Sequence, residues 1–142
     1  MSAESFDLAR FVDAQDAGGS YESALIELRA GHKRGHWIWF VFPQVEGLGR
    51  SATSQLFGVR GIAEARAYVA HPVLGPRLVA AARTLADLPA SDPVAVLGSI
   101  DAVKVRSSMT LFEAADPAEP VHAEVLEKFY GGVRDDATLA RL

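Results

Sequence analysis

Apolar residues recur along this chain at helical spacing, in segments punctuated by glycine, proline and capping residues. Phe6, Leu8, Phe11, Val12 and Gln15 form an approximate stripe behind a cap at Ser5, and the stripe ends before Gly18-Gly19. Ser20 restarts the chain. Tyr21, Ala24, Leu25 and Leu28 then recur at i, i+3, i+4 and i+7, with Gly31 placed to end a second helix, so the first 31 residues predict an αα-hairpin. Residues 62–70 and 74–88 predict two alanine-rich helices parted by His71-Pro72, because the residue before a proline is driven out of the helical region. Ser91-Asp92-Pro93 reads as a cap followed by proline near the first helical position, starting a short helix to Leu97 that Gly98 closes. Asp101 is read as the cap of the next helix. On it Val105, Ser108, Met109 and Phe112 share one face, and Lys104, Ser107, Ser108 and Leu111 the adjoining one. A helix from about Pro120 to Tyr130 stops at Gly131-Gly132, and Asp135 caps a final turn through Leu142.

Residues 37–42, Trp-Ile-Trp-Phe-Val-Phe, break the pattern. They have no polar face at period 2 or 3.6, so periodicity does not separate a buried strand from a short buried helix, and Pro43 ends the segment either way. The chain offers no second strong strand to pair with. The expected fold is therefore all-α: a single domain over residues 1–142, built as a compact bundle of about seven or eight short helices.

Composition adds limits. At 142 residues and 49% apolar, the chain has material for one real core, while its longest uncharged apolar run falls far short of the ~20 residues of a membrane span. No cysteine is present for disulfides or thiolate chemistry, and the N-terminus lacks the basic and apolar regions of a secretory signal, so a cytoplasmic location is expected. The net charge is −4, yet residues 29–60 carry +4 and the remainder −8. That local excess favours a compact anion over extended nucleic acid, which usually wants a basic stripe and a basic domain.

Four groups of residues carry candidate chemistry. His32 and His36 are a conceivable metal pair, but Gly31 and Gly35 interrupt a helix there, no Glu-x-x-His frame is present, and further ligands would have to come from His71, His122 or a distant carboxylate; no metal site and no cofactor are expected. Gln44-Val-Glu-Gly47-Leu-Gly49-Arg50-Ser51 can turn backbone N–H groups toward an anion, with Arg50 adding charge, or be an ordinary connection. Lys104 and Ser108 stand one helical turn apart, so their side chains can meet, and a lysine desolvated beside an aromatic ring is a nucleophile, base or anion anchor; the plain alternative is a solvated helix face that includes Arg106. Trp37 and Trp39 are either core or a stacking wall for a base.

Eight blocks, in order, carry a resemblance. They are Phe11-Val12-x-Ala14-Gln15, Tyr21-x-x-Ala24-Leu25-x-Glu27-Leu28-Arg29-x-Gly31, His36-Trp37-x-Trp39-Phe40-x-Phe42-Pro43-Gln44, Gly47-Leu48-Gly49-x-Ser51, Glu64-Ala65-x-Ala67-Tyr68, His71-Pro72-x-Leu74-Gly75-x-Arg77-Leu78, Lys104-x-Arg106-Ser107-Ser108-Met109-Thr110-Leu111-Phe112 and Asp136-x-Thr138-Leu139. Together they resemble a bacterial family of unknown function whose members often bear the label calpastatin. The resemblance implies a compact all-α domain and no established activity. The label itself does not suit the chain, because calpastatin inhibitory regions are disordered repeats and this sequence is apolar, unrepeated and helix-rich. A fainter resemblance links His71-Pro72-x-Leu74-Gly75-x-Arg77, then Lys104 with Met109 and Phe112, then a late Asp, to NADAR domains, helical proteins that include N-glycosidases. The NADAR Glu-His-x-x-Gln block is not intact here, and Asp136-x-Thr138-Leu139 replaces a tryptophan-glycine ending.

Joined to the candidate residues above, the fainter resemblance leads to the expectation of an enzyme or degenerate enzyme acting on an ADP-ribosyl or nucleotide-like N-glycoside. Lys104, Ser108 and Asp136 would be its catalytic residues, and Trp37, Trp39, Gln44, Gly47, Gly49, Arg50, Ser51, Arg77 and Arg106 would bind the ligand. A noncatalytic interaction or adaptor domain, with an exposed apolar face for a protein partner, is the alternative.

Overall fold

A computed structural model describes residues 6–142, so the cap expected at Ser5 lies outside the described residues. Ten α-helical segments follow one another: α1 (Ala9–Asp16), α2 (Ser20–Arg29), α3 (Ile38–Val41), α4 (Ala52–Leu56), α5 (Gly61–Ala70), α6 (Leu74–Ala86), α7 (Pro93–Leu97), α8 (Ser99–Ala115), α9 (Val121–Tyr130) and α10 (Asp136–Leu139). The fold is all-α, as the periodicity implies. The segments outnumber the expected seven or eight because the five-residue α4 is too short to produce a periodic stripe and the final turn capped by Asp135 is itself a helix, α10.

Helix ends follow the local chemistry. Asp92 caps α7 by accepting from Val94 and Ala95 N–H, and Asp135 caps α10 by accepting from Thr138 N–H. At the end of α2 the Gly31 N–H donates to Leu28 and the His32 N–H to Glu27, a double closure of the last turn. His71 is extended, as its proline neighbour requires, and its Nδ1 accepts from Val73 and Leu74 N–H, so it also caps the start of α6. Asp101 departs from expectation. Gly98, at φ +84, turns the chain directly from α7 into α8, which begins at Ser99; Asp101 falls in the first turn and its carboxylate is left free for other partners.

The core lies where α5, α6, α8 and α9 pack together, with α7 and α10 against α8, α2 against α6, and α3 against both α6 and α8. Val105, Ser108, Met109 and Phe112 are all buried, so the predicted inner face of α8 is the observed one. Phe112 stacks at 5.1 Å from Tyr68, which meets Phe11 edge-on at 5.2 Å, joining α8, α5 and α1 through one aromatic line. Buried Gln15 ties the N-terminal hairpin to this core: its Nε2 donates to the Phe40 carbonyl and the Tyr68 hydroxyl, and its Oε1 accepts from Arg77. Within residues 37–42 the short helix α3 spans Ile38–Val41, flanked by Trp37 and Phe42; Trp37, Ile38, Val41 and Phe42 are at 3% exposure or less, and Trp39 and Phe40 are half-buried. Among the described residues the only strand-like pairing is an isolated bridge between Val45 and Val59, which closes the loop carrying α4.

Candidate functional site

The basic segment before α3 is tied down at both ends. The Lys33 N–H donates to the Val96 carbonyl of α7, while the Glu27 carboxylate of α2 accepts through Oε1 from Arg34 N–H at 2.7 Å, Gly35 N–H at 2.8 Å and the Trp37 indole at 2.9 Å. Burial alone would raise the Glu27 carboxyl, but these three hydrogen bonds and the nearby Lys33 charge outweigh it and hold it below the ordinary carboxylate range. The segment is thus a fixed loop, held by α2 on one side and α7 on the other.

Two lysines converge on Asp101. Lys33 Nζ lies 2.7 Å from Oδ2 and Lys104 Nζ 3.5 Å from Oδ1; Lys33 also donates to the Gly35 carbonyl. Each ammonium faces a tryptophan, Lys33 at 4.9 Å from the Trp37 ring and Lys104 at 3.7 Å from the Trp39 ring. The Lys33 side chain is 7% exposed and that of Lys104 19%, so the first is enclosed and the second reachable. Trp39 lines a nearly closed crevice of about 10 Å³, scarcely the room of one water, with Gln44, Leu48, Gly49 and Ser54, and the exposed Arg50 follows Gly49 in the chain. The loop over this crevice is shaped by Ser51, whose side chain caps α4 by accepting from Ser54 N–H, and by Arg141, which packs on Gly47 and donates to its carbonyl at 3.2 Å. Gln44, Gly49, Arg50 and Ser51 thus belong to the loop that closes on Trp39, and Lys104 meets the ring of the same tryptophan.

The other expected site residues are placed differently. Trp37 is buried and its indole N–H is committed to Glu27. Ser108 is sealed, and among the described residues its hydroxyl has no hydrogen-bond partner, so the Lys104–Ser108 pair does not form. Arg77 belongs to the α1–α2–α6 contact, paired with Asp16 at 2.8 Å and Gln15 at 3.2 Å. Arg106 turns to α10 and meets Asp135 at 3.4 Å. Asp136 is exposed on α10, whereas its neighbour Asp135 is the buried acid. The carboxylate beside Lys104 is Asp101. Its i, i+3 spacing from Lys104 is visible in the sequence, but reading it as a helix cap hides that role. Lys33, Glu27 and Arg141 come from other segments and leave no local signal.

His32 and His36 are both exposed, His71 spends Nδ1 on α6, and His122 is enclosed. Among the described residues no three His, Cys, Asp or Glu side chains are grouped to hold a metal. No described helix is long and apolar enough to cross a membrane.

With this geometry in hand, comparison with known proteins is informative about kinship and silent about activity. The chain is similar to the conserved hypothetical protein Rv1873 from Mycobacterium tuberculosis, whose crystal structure matches it with a TM-score of 0.93 at 44% identity, over 96% of each chain. No curated protein matches it. A family model matches residues 5–142, nearly its whole length, and the chain therefore belongs to the family described as protein of unknown function (DUF1810).

Proposed function

We propose that this protein binds a small phosphorylated, nucleotide-like N-glycoside at the Lys104–Trp39 face, as a NADAR-like N-glycosidase or a degenerate form of one. The observation that carries the reading is the Lys104 ammonium, 3.7 Å over the ring of Trp39, the side chain on which the loop residues Gln44 and Gly49 also close. A cation, an aromatic face and a glycine-bearing loop with an exposed arginine are complementary to a base joined to a phosphorylated sugar. In this arrangement Trp39 stacks on the base, Arg50 and the Gly47–Ser51 loop meet the phosphates, and Lys104 faces the anomeric carbon.

The catalytic form needs more of Lys104 than the binding form. As an anion anchor it keeps its contacts with Asp101 and Trp39. As a nucleophile it passes a proton to Asp101 and attacks the anomeric carbon; the C–N glycosidic bond breaks, the base leaves with a proton, and water releases the sugar and restores the amine. Asp101 takes the proton-handling part in this scheme, while Ser108 and Asp136 take none.

Release of free base or ADP-ribose from ADP-ribosyl and modified nucleotides by the wild type and by Lys104→Ala tests the scheme. Loss of release in the variant is expected, and equal rates overturn the lysine mechanism. Wild-type protein that releases nothing but binds ADP-ribose saturably, with at least tenfold weaker binding in Arg50→Ala, is the degenerate binder. No binding at all removes the ligand reading.

A second reading, a noncatalytic interaction domain, has one observation in its favour. Ile100 and Val103, three apart on α8, are 72% and 58% exposed, and Val94 of the adjoining α7 is 52% exposed. It expects a partner-dependent loss of solvent exposure at these three side chains.

A further inference from the structure

A second cleft opens on a different face of α3. It holds about 380 Å³ and is lined by Ser23 and Glu27 of α2, Gly35 and His36 of the fixed loop, and Trp37 and Phe40 at helical spacing. That volume is at the lower end of the range for small-molecule sites. Three features suggest a built recess. Glu27 spends all three of its hydrogen bonds on Oε1, so among the described residues Oε2 accepts nothing, although an ionised carboxylate has room for about four donors in total. None of the hydrogen bonds among the described residues uses the His36 imidazole, which stands exposed at the cleft. Gly35 keeps the floor open: a Cβ there would lie 2.9 Å from Trp37 Cδ1 and 3.4 Å from Glu27 Oε2. Its backbone is not in the left-handed region, so close approach is what calls for glycine.

The charges select the class of ligand. A phosphate or carboxylate would meet ionised Glu27, and a ligand cation would meet a carboxylate whose charge three donors and the nearby Lys33 ammonium already offset. A neutral ring bearing adjacent hydroxyls meets neither objection. Its hydroxyls donate to Glu27 Oε2, the His36 imidazole and Ser23 serve a third oxygen, and its C–H face rests on the half-buried Phe40 beside the edge of Trp37. The geometry points to a sugar-binding cleft that recognises the vicinal diol of a ribose-like ring through the free oxygen of Glu27. The inference is independent of catalysis at Lys104 and is read by binding alone, so it survives or fails separately from the glycosidase scheme.

The chain has two tryptophans, giving two indole N–H signals in a nitrogen-15 NMR spectrum, and Trp39→Phe assigns the remaining one to Trp37. Full-length protein is titrated with adenosine, 2′,3′-dideoxyadenosine and methyl β-D-ribofuranoside. Expected is a saturable shift of the Trp37 indole with adenosine, at least tenfold weaker with the dideoxy compound; a shift with the methyl riboside also supports the cleft and shows that the base is dispensable. Equal affinity for adenosine and its dideoxy analogue overturns the inference, as does a Trp37 signal that none of the three moves at millimolar concentration. Glu27→Gln keeps an acceptor for the loop and replaces the other oxygen by an amide, and should weaken adenosine at least tenfold. Should that variant fail to fold, Gly35→Ala fills the cleft floor from the other side and must abolish the shift in a protein whose remaining spectrum is intact; a retained shift in Gly35→Ala overturns the assignment.

Discussion

The imidazole of His122 is wholly enclosed, its ring 6.2 Å from that of Phe112, and among the described residues neither nitrogen has a hydrogen-bond partner. Burial depresses its pKa, and the charges of Glu119, Asp116 and Glu113 offset only part of that effect. The folded state therefore holds His122 neutral at a pH where the unfolded chain, titrating near 6.5, takes up a proton. Its contribution is fully present above about pH 6.5 and is lost as pH falls from there toward the depressed folded value. Between pH 7.5 and 5.5 the wild type should lose about 1 kcal/mol through this one group, measured from urea midpoints. His122→Leu should lose much less over the same interval while remaining comparably stable at pH 7.5, because it buries no unpaired nitrogen. An unchanged pH slope in the variant would place the dependence elsewhere.

At the scale of the element, Asp135 is what docks α10 on α8. Its Oδ2 accepts from the Thr138 hydroxyl at 2.5 Å, the Ser107 hydroxyl at 3.0 Å and the Thr138 N–H at 3.1 Å, and its own N–H donates to the Thr110 hydroxyl at 3.0 Å. Burial would raise this carboxyl, but the bonds from Thr138 and Ser107, with Arg106, hold it below the ordinary range. Its contribution is accordingly present above the unfolded carboxylate value near 3.9 and lost as pH falls below that. Asp135→Ala removes a helix cap and leaves the buried Thr138 hydroxyl without its acceptor, while Ser107 keeps the Val103 carbonyl, an expected cost of about 2–3 kcal/mol. Hydrogen exchange should locate the loss first in α10, with faster exchange at Thr138; α10 protection equal to wild type would mean that another contact holds the helix. This cap is legible from the sequence, as are Asp92, the Gly31 closure and the break at His71-Pro72, because each depends on residues within four positions. The same local logic misassigns Asp101, since a one-residue turn at Gly98 moves the helix start three residues earlier than an acidic cap would. It also finds no helix for residues 52–56, where five residues cannot display a period.

The whole molecule decides what local signals cannot. Residues 29–60 count as strongly basic when read in isolation, yet Lys33 is enclosed and paired with Asp101, 68 positions away. Likewise Arg10 forks onto buried Glu64 of α5 at 2.8 and 3.2 Å, a pairing with no trace in either segment. The aromatic run and the glycine-bearing loop are legible as a neighbourhood because they adjoin in sequence; the lysines, Asp101 and Glu27 gather there only once α2, α7 and α8 have packed. That packing makes the Lys33–Asp101 pair a coupling between the fixed loop and the central helix, with a measurable consequence. Asp101→Ala leaves a side chain that is 7% exposed carrying an unpaired charge, so it should cost about 3 kcal/mol, well above the usual figure for a surface ion pair. Lys33→Met in the same protein removes the stranded charge and keeps an apolar stem against Trp37, so the double variant should recover at least about 1 kcal/mol relative to the sum of the two single changes. Chemical denaturation of the four proteins closes the cycle. Strict additivity would mean that Lys33 reaches water when Asp101 is gone, and the loop would then be held by Glu27 and the Val96 carbonyl alone.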